Sequence, residues 1–590
     1  MWNVEISRPS DREEGLPMKY LLLSVAMLLL ALSSYSQERF LVKIRLDQKE
    51  NFSRLADMNL DLASELVGQT VDAVVTGEEL LEIGKRGFVT DILPFDPPGV
   101  NVTQYRSYEE VVELLNYYAM TYDRIVRLDT LGYSQVWNLL IPALKISDNP
   151  ELEEDEPSIL FDGLHHAREP VGMYCTLYVL ERLLRNYGLD PEVTAWVNDN
   201  EVWVIPMINP EGYKYLVDNN LSSPWWRKNL RDNNQNGIVD PGYDGVDLNR
   251  NYAWGWLSGG SSNPGDWVYR GPSPFSEKET DAKRDWATVQ KPVLSITYHS
   301  YGEQVLYTWS EEPRSPDHDL IVEIGDSIAG RIPKNNGTGH YSVDPSECTT
   351  GYSKCWMYGK LGTIEYTVET ADQFVPPFSV GMKVAQDNLA GALYLFDRIK
   401  GPGITGHILD GETGLPLVAR IRTLELPEDR VQPRMSEPDF GRFWRLLQPG
   451  SYTIEISKTN YITQTHAITV PAGRTLVEMN IALQPVTSGI GEISLETGRK
   501  VCIGARIFPN PFSQAATVEF DLTEASPVRV TVTDLLGRKV NSLYQGELPA
   551  GRHLVNWQGN HPTGSPVRPG LYLVLIETRG GISRLTAVKE

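Results

Sequence analysis

Apolar residues recur along this chain with two periods, and the period changes with position. Val42, Ile44 and Leu46 alternate with Lys43 and Arg45, the two-residue repeat of a half-buried strand. Thr76-x-x-Glu79 is a capping box that predicts a short helix, and Phe88 to Leu93 predicts a further strand. Residues 38–100 therefore read as a small α+β unit. A second capping box, Ser107-x-x-Glu110, opens a helix with Val111, Leu114, Leu115 and Tyr118 on one face. Ile159-Leu160-Phe161 reads as a buried strand, Gly163 as the turn after it, and Met173 to Tyr187 as the next helix, with Met173, Leu177, Leu180 and Leu184 at helical spacing. Leu294-Ser295-Ile296 predicts another strand. Past Gly401-Pro402-Gly403 the helical period disappears. Short alternating runs such as Tyr452 to Ile456 stand between Gly/Pro turns as far as about residue 485, which predicts a β-sandwich. A linker at 486–504 leads to a second all-β pattern at 505–590, where Val528, Val530 and Val532 alternate with polar residues and Asp534 to Arg538 forms a turn.

The N-terminus follows another rule. Met18-Lys19, an apolar run from Leu21 to Leu32 and the small residues Ser33 and Ser34 have the layout of a secretory signal peptide, so residues 1–37 are set apart as an extension and signal. The run is short for a membrane span, and no other segment resembles one; the mature chain is expected to carry no transmembrane segment and to be secreted or held at the cell surface. Four cysteines fit an oxidising compartment. Cys348 and Cys355 are the expected pair, Cys175 falls in a predicted helix, and Cys502 has no obvious partner. With 590 residues and a formal net charge of −23 that no basic stretch offsets, a nucleic-acid partner is not expected.

One dispersed set of residues carries chemistry. His166 and Glu169 are three apart, so one tight turn can aim both at a common centre, and the distant His299 can complete a site of two His and one carboxylate, a common catalytic zinc set. His165 competes with His166, but only His166 gives the HxxE spacing. The ligands would lie past the C-terminal end of a strand, where open α/β sheets place their sites. Arg168, Arg227 and the pair Asn249-Arg250 supply groups suited to a free carboxylate, because guanidinium is always charged and grips carboxylate with a two-pronged fork. Glu369 supplies a base. Each arginine alone reads more readily as a solvated surface residue; the complete set points to hydrolysis of the last peptide bond of a chain.

The segments GLHHAREP (163–170), PMINPEGY (206–213), WWRKN (225–229), GVDLNRNY (245–252), YRGPSPFSEKET (269–280), YHSYG (298–302) and YTVET (366–370) resemble, in order and spacing, the M14 zinc carboxypeptidases of the pancreatic A/B type. The resemblance implies an α/β/α sandwich with a mixed sheet over residues 101–400; the α+β unit before it looks like the prodomain that secreted members often carry, and the patterns after it predict two β-sandwich domains. It implies His166, Glu169 and His299 as zinc ligands, Glu369 as general base, Arg227 at the oxyanion, Asn249 and Arg250 on the substrate's terminal carboxylate, and Arg168 along the substrate groove. Counting fifteen positions back from Glu369, the floor of the specificity pocket falls on Lys354, which suits an acidic C-terminal side chain unless the loop turns it to solvent. Tyr341 is the nearest candidate for the tyrosine that caps the substrate.

Asp232, Asn234 and Asn236 before Gly237, with Asp240 beyond, resemble the first half of a calcium loop, although Tyr243 stands where the twelfth-position Glu belongs; a plain turn cluster is the other reading. Residues 401–485 resemble the transthyretin-like domain that follows some metallocarboxypeptidase domains. Residues 505–590 resemble the C-terminal sorting domains of type IX (Por) secretion, and an Ig-like domain akin to that of the flagellar hook-capping protein reads almost the same. The expected partners are peptide or protein substrates and an outer-membrane secretion machinery. Two other functions share these features: hydrolysis of cell-wall peptides on the same fold, and a non-catalytic surface-binding protein.

Overall fold

The computed structural model describes residues 39–46, 54–55, 58, 60–62, 70–92, 105–219, 225–309, 313–346, 348, 350–486, 502–534, 538–562, 564–579 and 581–589. The segment expected to be a signal peptide and the centre of the 534–538 turn lie outside the described residues, as does the side chain of Cys502. Two compact units divide the chain at residues 485 and 486.

The first unit opens with β1 (Arg39–Arg45), β2 (Asp61–Leu62), β3 (Thr70–Thr76), helix α1 (Gly77–Lys85) and β4 (Val89–Ile92), the strands forming one sheet in the order β2-β3-β1-β4. Both arms of the Thr76/Glu79 capping box are made, which fixes where α1 starts. Val42, Ile44 and Leu46 are buried with Val71, Ala73 and Val75, as their alternation predicts. The Ser107/Glu110 box likewise starts α2 (Tyr108–Thr121).

Among the described residues, eight strands follow in one mixed sheet: β5 (Val126–Tyr133), β6 (Leu140–Ile146), β7 (Ser158–Gly163), β8 (Glu201–Ile205), β9 (Leu294–Ser300), β10 (Gln304–Thr308), β11 (Ser342–Ser346) and β12 (Ile364–Thr370). Their order is β11-β10-β12-β9-β7-β8-β6-β5, with parallel pairing through the centre, β12 to β9 to β7 to β8. A parallel centre must be covered on both faces. On one face Ile159, Phe161, Ile296, Tyr298, Tyr366 and Val368 pack against helices α3 (Pro170–Asn186), α4 (Pro191–Asn198), α7 (His318–Ala329) and α9 (Phe378–Arg398). The helix predicted from Met173 begins three residues earlier, at Pro170, and buries Leu177, Leu180 and Leu184; each such leucine contributes about 1.5–3 kcal/mol. The other face, with Leu160, Trp203 and Ile205, is covered by α6 (Lys278–Gln290) and by Tyr252, Trp356 and Met357. Helix α5 (Pro210–Asp218) and the short α8 (Ser353–Trp356) complete the helices used below.

Residues 403–483 fold as two sheets about a core of Ile404, Ile408, Ile421, Phe443, Ile454 and Ile456, and Val431 and Leu446 join the core of the preceding α/β layers. The second unit is also built of two sheets, one of three and one of four strands among the described residues, closed on Val518, Phe520, Val530, Val532, Trp557 and Val574.

Candidate active site

Three adjacent strands deliver the site. The turn after β7 carries His166 and Glu169; the Glu169 amide donates to the His166 carbonyl at 3.2 Å, and Pro170 then opens α3, where a missing amide costs nothing. His299 and Glu369 each stand one residue before the end of their strands, β9 and β12, and are partners in the parallel register. Their side chains therefore leave the sheet on the same face.

His166 Nδ1 lies 2.8 Å from Glu169 Oε1, and His299 Nδ1 lies 3.0 Å from Glu169 Oε2 and 3.1 Å from His166 Nδ1. All three side chains are buried. Two ring nitrogens at this separation cannot bond to each other while both donate to one carboxylate; a shared cation satisfies all three atoms. A tetrahedral zinc with bonds of about 2.1 Å holds its ligand atoms roughly 3.4 Å apart, so an outward shift of a few tenths of an ångström seats it. Burial pushes His299 down to about 4, which keeps it a neutral ligand. Burial acts to raise the Glu169 carboxyl, but His166 and His299 outweigh it and hold it below its usual range. The donor set fits zinc.

Asp247 ties this triangle to the arginines. It accepts from His166 Nε2 at 3.2 Å, from Arg227 Nε at 2.9 Å and from the Asn249 amide at 3.0 Å. With its Nε2 proton on Asp247, His166 turns an Nδ1 lone pair to the centre. Burial works against the Asp247 charge, but Arg227 and Arg250 overcome it and hold the carboxyl well below its usual range. Arg227 is driven the other way: burial acts to lower it, and Asp247, Asp61 and Glu169 raise it.

Asn249 and Arg250 sit on a single helical turn, Leu248–Arg250, capped by Asp247. The Asn249 side-chain oxygen accepts from the Ser353 amide at 3.0 Å, which joins it to the segment carrying Lys354. Lys354 is buried, and its ammonium lies 4.8 Å from the centre of the Tyr352 ring; the Arg250 guanidinium lies 4.5 Å from the same centre. One aromatic ring thus carries both cations. The Cys348–Cys355 disulfide brackets this segment, and Cys175 is a buried free thiol.

Arg168 is fully buried and held chiefly by the N-terminal sheet, with one further bond from Nη1 to the Trp225 carbonyl and no partner at Nε among the described residues. Its Nη1 and Nη2 donate to Asp61 at 2.8 and 2.9 Å, and its guanidinium rests 4.1 Å from the Phe374 ring centre. Asp61 Oδ1 also lies 3.7 Å from Arg227 Nη1. Leu41 and Val74 of the same sheet pack on Tyr301 and Phe374.

Two expectations need correction. Tyr341 is a core residue: it is buried, and its hydroxyl accepts from the Ala371 amide and from Asn388, both at 3.3 Å, so it is anchored away from the role of a movable cap. Calcium at 232–240, one of the two readings open from the sequence, finds no support. Asp232, Asn234, Asn236 and Asp240 turn their oxygens onto backbone amides of the same loop, the pattern of Asx turns, and this loop is absent from the described residue groups able to hold an ion. Sequence reasoning also missed residues. Asp247 lies inside a quoted motif, two residues before Asn249, and was legible there. His165, the rival ligand, instead pairs with the Tyr252 hydroxyl at 2.9 Å and stacks on His299. Nothing near Asp61 signalled its part.

With this geometry in view, comparison with known proteins is specific. Residues 111–391 match the family model described as zinc carboxypeptidase, Peptidase_M14. Carboxypeptidase B of Astacus astacus is 30% identical over 281 residues, 46% of this chain and 87% of that protein. The zinc carboxypeptidase of Saccharothrix mutabilis subsp. capreolus is 30% identical over 285 residues, 45% of this chain and 62% of its own length, so this chain spans under two thirds of that relative. Among solved structures, carboxypeptidase A from Helicoverpa armigera shares the fold at a TM-score of 0.53 and 20% identity, covering 61% of this chain and 96% of that one. The chain belongs to the M14 zinc carboxypeptidase family and carries its metallocarboxypeptidase domain. Residues 510–581 match a second model, the FlgD Ig-like domain.

Proposed function

We propose that this protein is a zinc-dependent carboxypeptidase that removes single residues from the free C-terminus of peptides or proteins. The observation that carries the reading is the His166, Glu169 and His299 triangle beside Arg227, Asn249 and Arg250, all buried around one centre. Both histidines, through Nδ1, and Glu169 would hold the ion. Zinc, when bound, makes water nucleophilic near neutral pH and polarises a carbonyl. Asn249 and Arg250 grip the substrate's terminal carboxylate. Arg227, oriented by Asp247, donates to the carbonyl oxygen as negative charge develops on it. Glu369 takes a proton from the attacking water and returns it to the leaving amine.

The preferred C-terminal residue is acidic, Glu or Asp: Lys354, buried under the ring that also carries Arg250, adds a second cation to meet a side-chain carboxylate. The N-terminal unit is a built-in block, since Asp61 takes up Arg168 and borders Arg227. The mature enzyme acts outside the cell, and the C-terminal unit serves as a sorting domain for secretion across an outer membrane; the charged start and short apolar core of residues 18–32 support the first statement, and the all-β pattern of residues 505–590 supports the second.

Peptides differing only in their last residue, incubated with the purified protein with and without chelator and beside Glu369→Gln, test the reading. Chelator-sensitive release of single residues that is lost in the variant is expected. No release by folded, zinc-loaded protein freed of residues 1–100 would overturn it.

A further inference from the structure

The β-sandwich of residues 403–483 falls outside both family models and contributes no residue to the zinc site. Its contacts are nevertheless aimed. Lys354 stands in α8, and the chain continues as a helical turn from Met357 to Leu361. The front of this segment is tied to the substrate site, through the Ser353 amide on Asn249 and through Tyr352 under Arg250. Its back is tied to the β-sandwich. Arg434 Nη1 donates to the Tyr358 carbonyl at 2.8 Å, and the Gln432 amide donates to the Gly359 carbonyl at 2.8 Å. The Arg434 guanidinium also lies 4.8 Å from the Tyr358 ring centre and fills the space against Gly362, where a Cβ would come within 2.8 Å of Arg434 Cδ.

A second layer holds the same turn through its side chain. Tyr358 is fully buried and its hydroxyl donates to Asp317 Oδ2 at 2.8 Å, while Asp317 Oδ1 accepts from Arg445 of the β-sandwich at 2.7 Å. Arg430 donates to the Pro313 carbonyl at 3.1 Å and lies over Trp309, whose ring meets Tyr358 edge-on at 5.5 Å. Val431, on the same loop, is buried in the catalytic core. The β-sandwich donors reach two carbonyls, of Tyr358 and Gly359, about one helical turn beyond Lys354, and the Tyr358 hydroxyl is joined to Arg445 through Asp317. A domain retained only for bulk stability has no need to aim there.

We infer that the β-sandwich is part of the selectivity machinery: through Arg434 and the Gln432 amide it fixes the helical turn behind Lys354 and so sets which C-terminal side chain the enzyme accepts. Arg434 is in this scheme a positioning residue, acting on substrate only through the segment it holds. The inference rests on the reading of Lys354 as the residue that meets that side chain.

The test uses the full-length chain, and its Asp61→Ala form where latency limits the rate. kcat and KM are measured for two peptides ending in Glu and in Leu. The wild-type ratio judges Lys354 alone. Arg434 is judged by how far its loss moves that ratio, whichever residue is preferred. In Arg434→Ala the ratio of kcat/KM values should fall toward one by about tenfold, through KM and with kcat little changed, because a displaced pocket misplaces the side chain it binds. Arg434→Lys, which keeps a donor, should recover part of it. Arg442→Ala, which cuts a different link of the same domain, the pair with Asp155, should leave the ratio alone. Tyr358→Phe removes only the hydroxyl and should move the ratio the same way by less. Amide exchange across residues 353–362 should quicken in Arg434→Ala and not in Arg442→Ala, a readout that needs no activity. A folded Arg434→Ala with the wild-type ratio and wild-type exchange in this segment would overturn the inference, as would equal shifts in Arg442→Ala.

Discussion

Removal of the Asp61 carboxylate should turn the untrimmed chain from a latent into an active enzyme. The pair it forms with Arg168 is two-pronged, at 2.8 and 2.9 Å, and both side chains are almost wholly shielded, at 0% and 1% exposure. Taking one partner from such a pair strands the other charge, at a cost of about 3–5 kcal/mol. In Asp61→Ala that cost falls on the docked state, because Arg168 regains water or substrate once the N-terminal sheet lifts. At about 1.4 kcal/mol per decade, the lower figure moves the docking equilibrium roughly 100-fold toward the open site. Asp61→Asn keeps the shape and one acceptor but not the charge, and should fall between. The assay is the initial rate of amino-acid release by the intact chain, compared with protein lacking residues 1–100. Wild-type chain should be slow and speed up on trimming; Asp61→Ala should start near the trimmed rate. Because the pair is buried, salt should do little. If trimmed protein is fast while untrimmed Asp61→Ala is no faster than untrimmed wild type, Asp61 is not the lock.

Glu369→Gln should lower kcat by about 10²–10⁴ while bound zinc, measured by elemental analysis, stays at one per chain-equivalent of site. Lys354→Met should reduce kcat/KM for a peptide ending in Glu and raise it for one ending in Leu; unchanged values for both would remove Lys354 from the pocket. Asp247→Ala should weaken zinc by about 10–100-fold, read by competition with a chelating dye, since it frees the proton that orients His166. Away from the site, burial, with Glu154 and Asp148 adding to it, raises the Glu156 carboxyl from 4.5 to about 8. A raised folded value means that its contribution to stability is full below the unfolded value and is lost as pH climbs through 8. Glu156→Gln should therefore raise Tm at pH 8 and leave it nearly unchanged at pH 4.5; an equal gain at both would show that titration is not the cause.

What the sequence made legible was local. Capping boxes at Thr76 and Ser107 announced two helix starts because cap and partner are three residues apart. HxxE could be read at His166 because one turn holds both candidate ligands. Alternation in β1 and in the strand around Ile454 named their buried faces. What stayed hidden depends on pairs far apart in the chain. Asp61 and Arg168 are separated by 107 residues, and Asp61 sits in a two-residue strand with no periodicity to mark it. Tyr341 was placed by nearness in sequence to the specificity loop, but the Asn388 and Ala371 contacts that anchor it come from β12's end and from α9. The Asp232 to Asp240 run stays open between two readings in the sequence because oxygen side chains at alternate positions serve Asx turns as well as cations, and only hydrogen-bond partners separate the two.

The sheet explains how residues distant in the chain come together. Ser295, Thr297 and His299 alternate along β9, and Glu365, Thr367 and Glu369 alternate in register along β12. Asp162 of β7 pairs with Thr297, so it joins the same face. The opposite positions, Ile296, Tyr298, Tyr366 and Val368, are core. This face carries polar groups along β9 and β12 beside the apolar Leu160, Trp203 and Ile205, and the covering residues satisfy the buried polar ones: Lys283 holds Asp162 at 2.6 Å and Ser353 at 2.8 Å, and Ser353 in turn donates to Glu365 at 2.6 Å. Burial acts to lower Lys283, but Asp162 and Glu365 raise it above its usual range, so the ammonium stays charged beneath the site. Buried charge of this kind is weak evidence of stability, since apolar replacements of similar size often do as well. Its place is more informative. Ser353 gives its amide to Asn249 and its hydroxyl to Glu365, so the residue beside Lys354 is fixed from the sheet below, just as Tyr358 is fixed from the β-sandwich behind. The segment that would choose the substrate is therefore braced from two sides, and apart from Asn249 the bracing residues lie outside the short motifs.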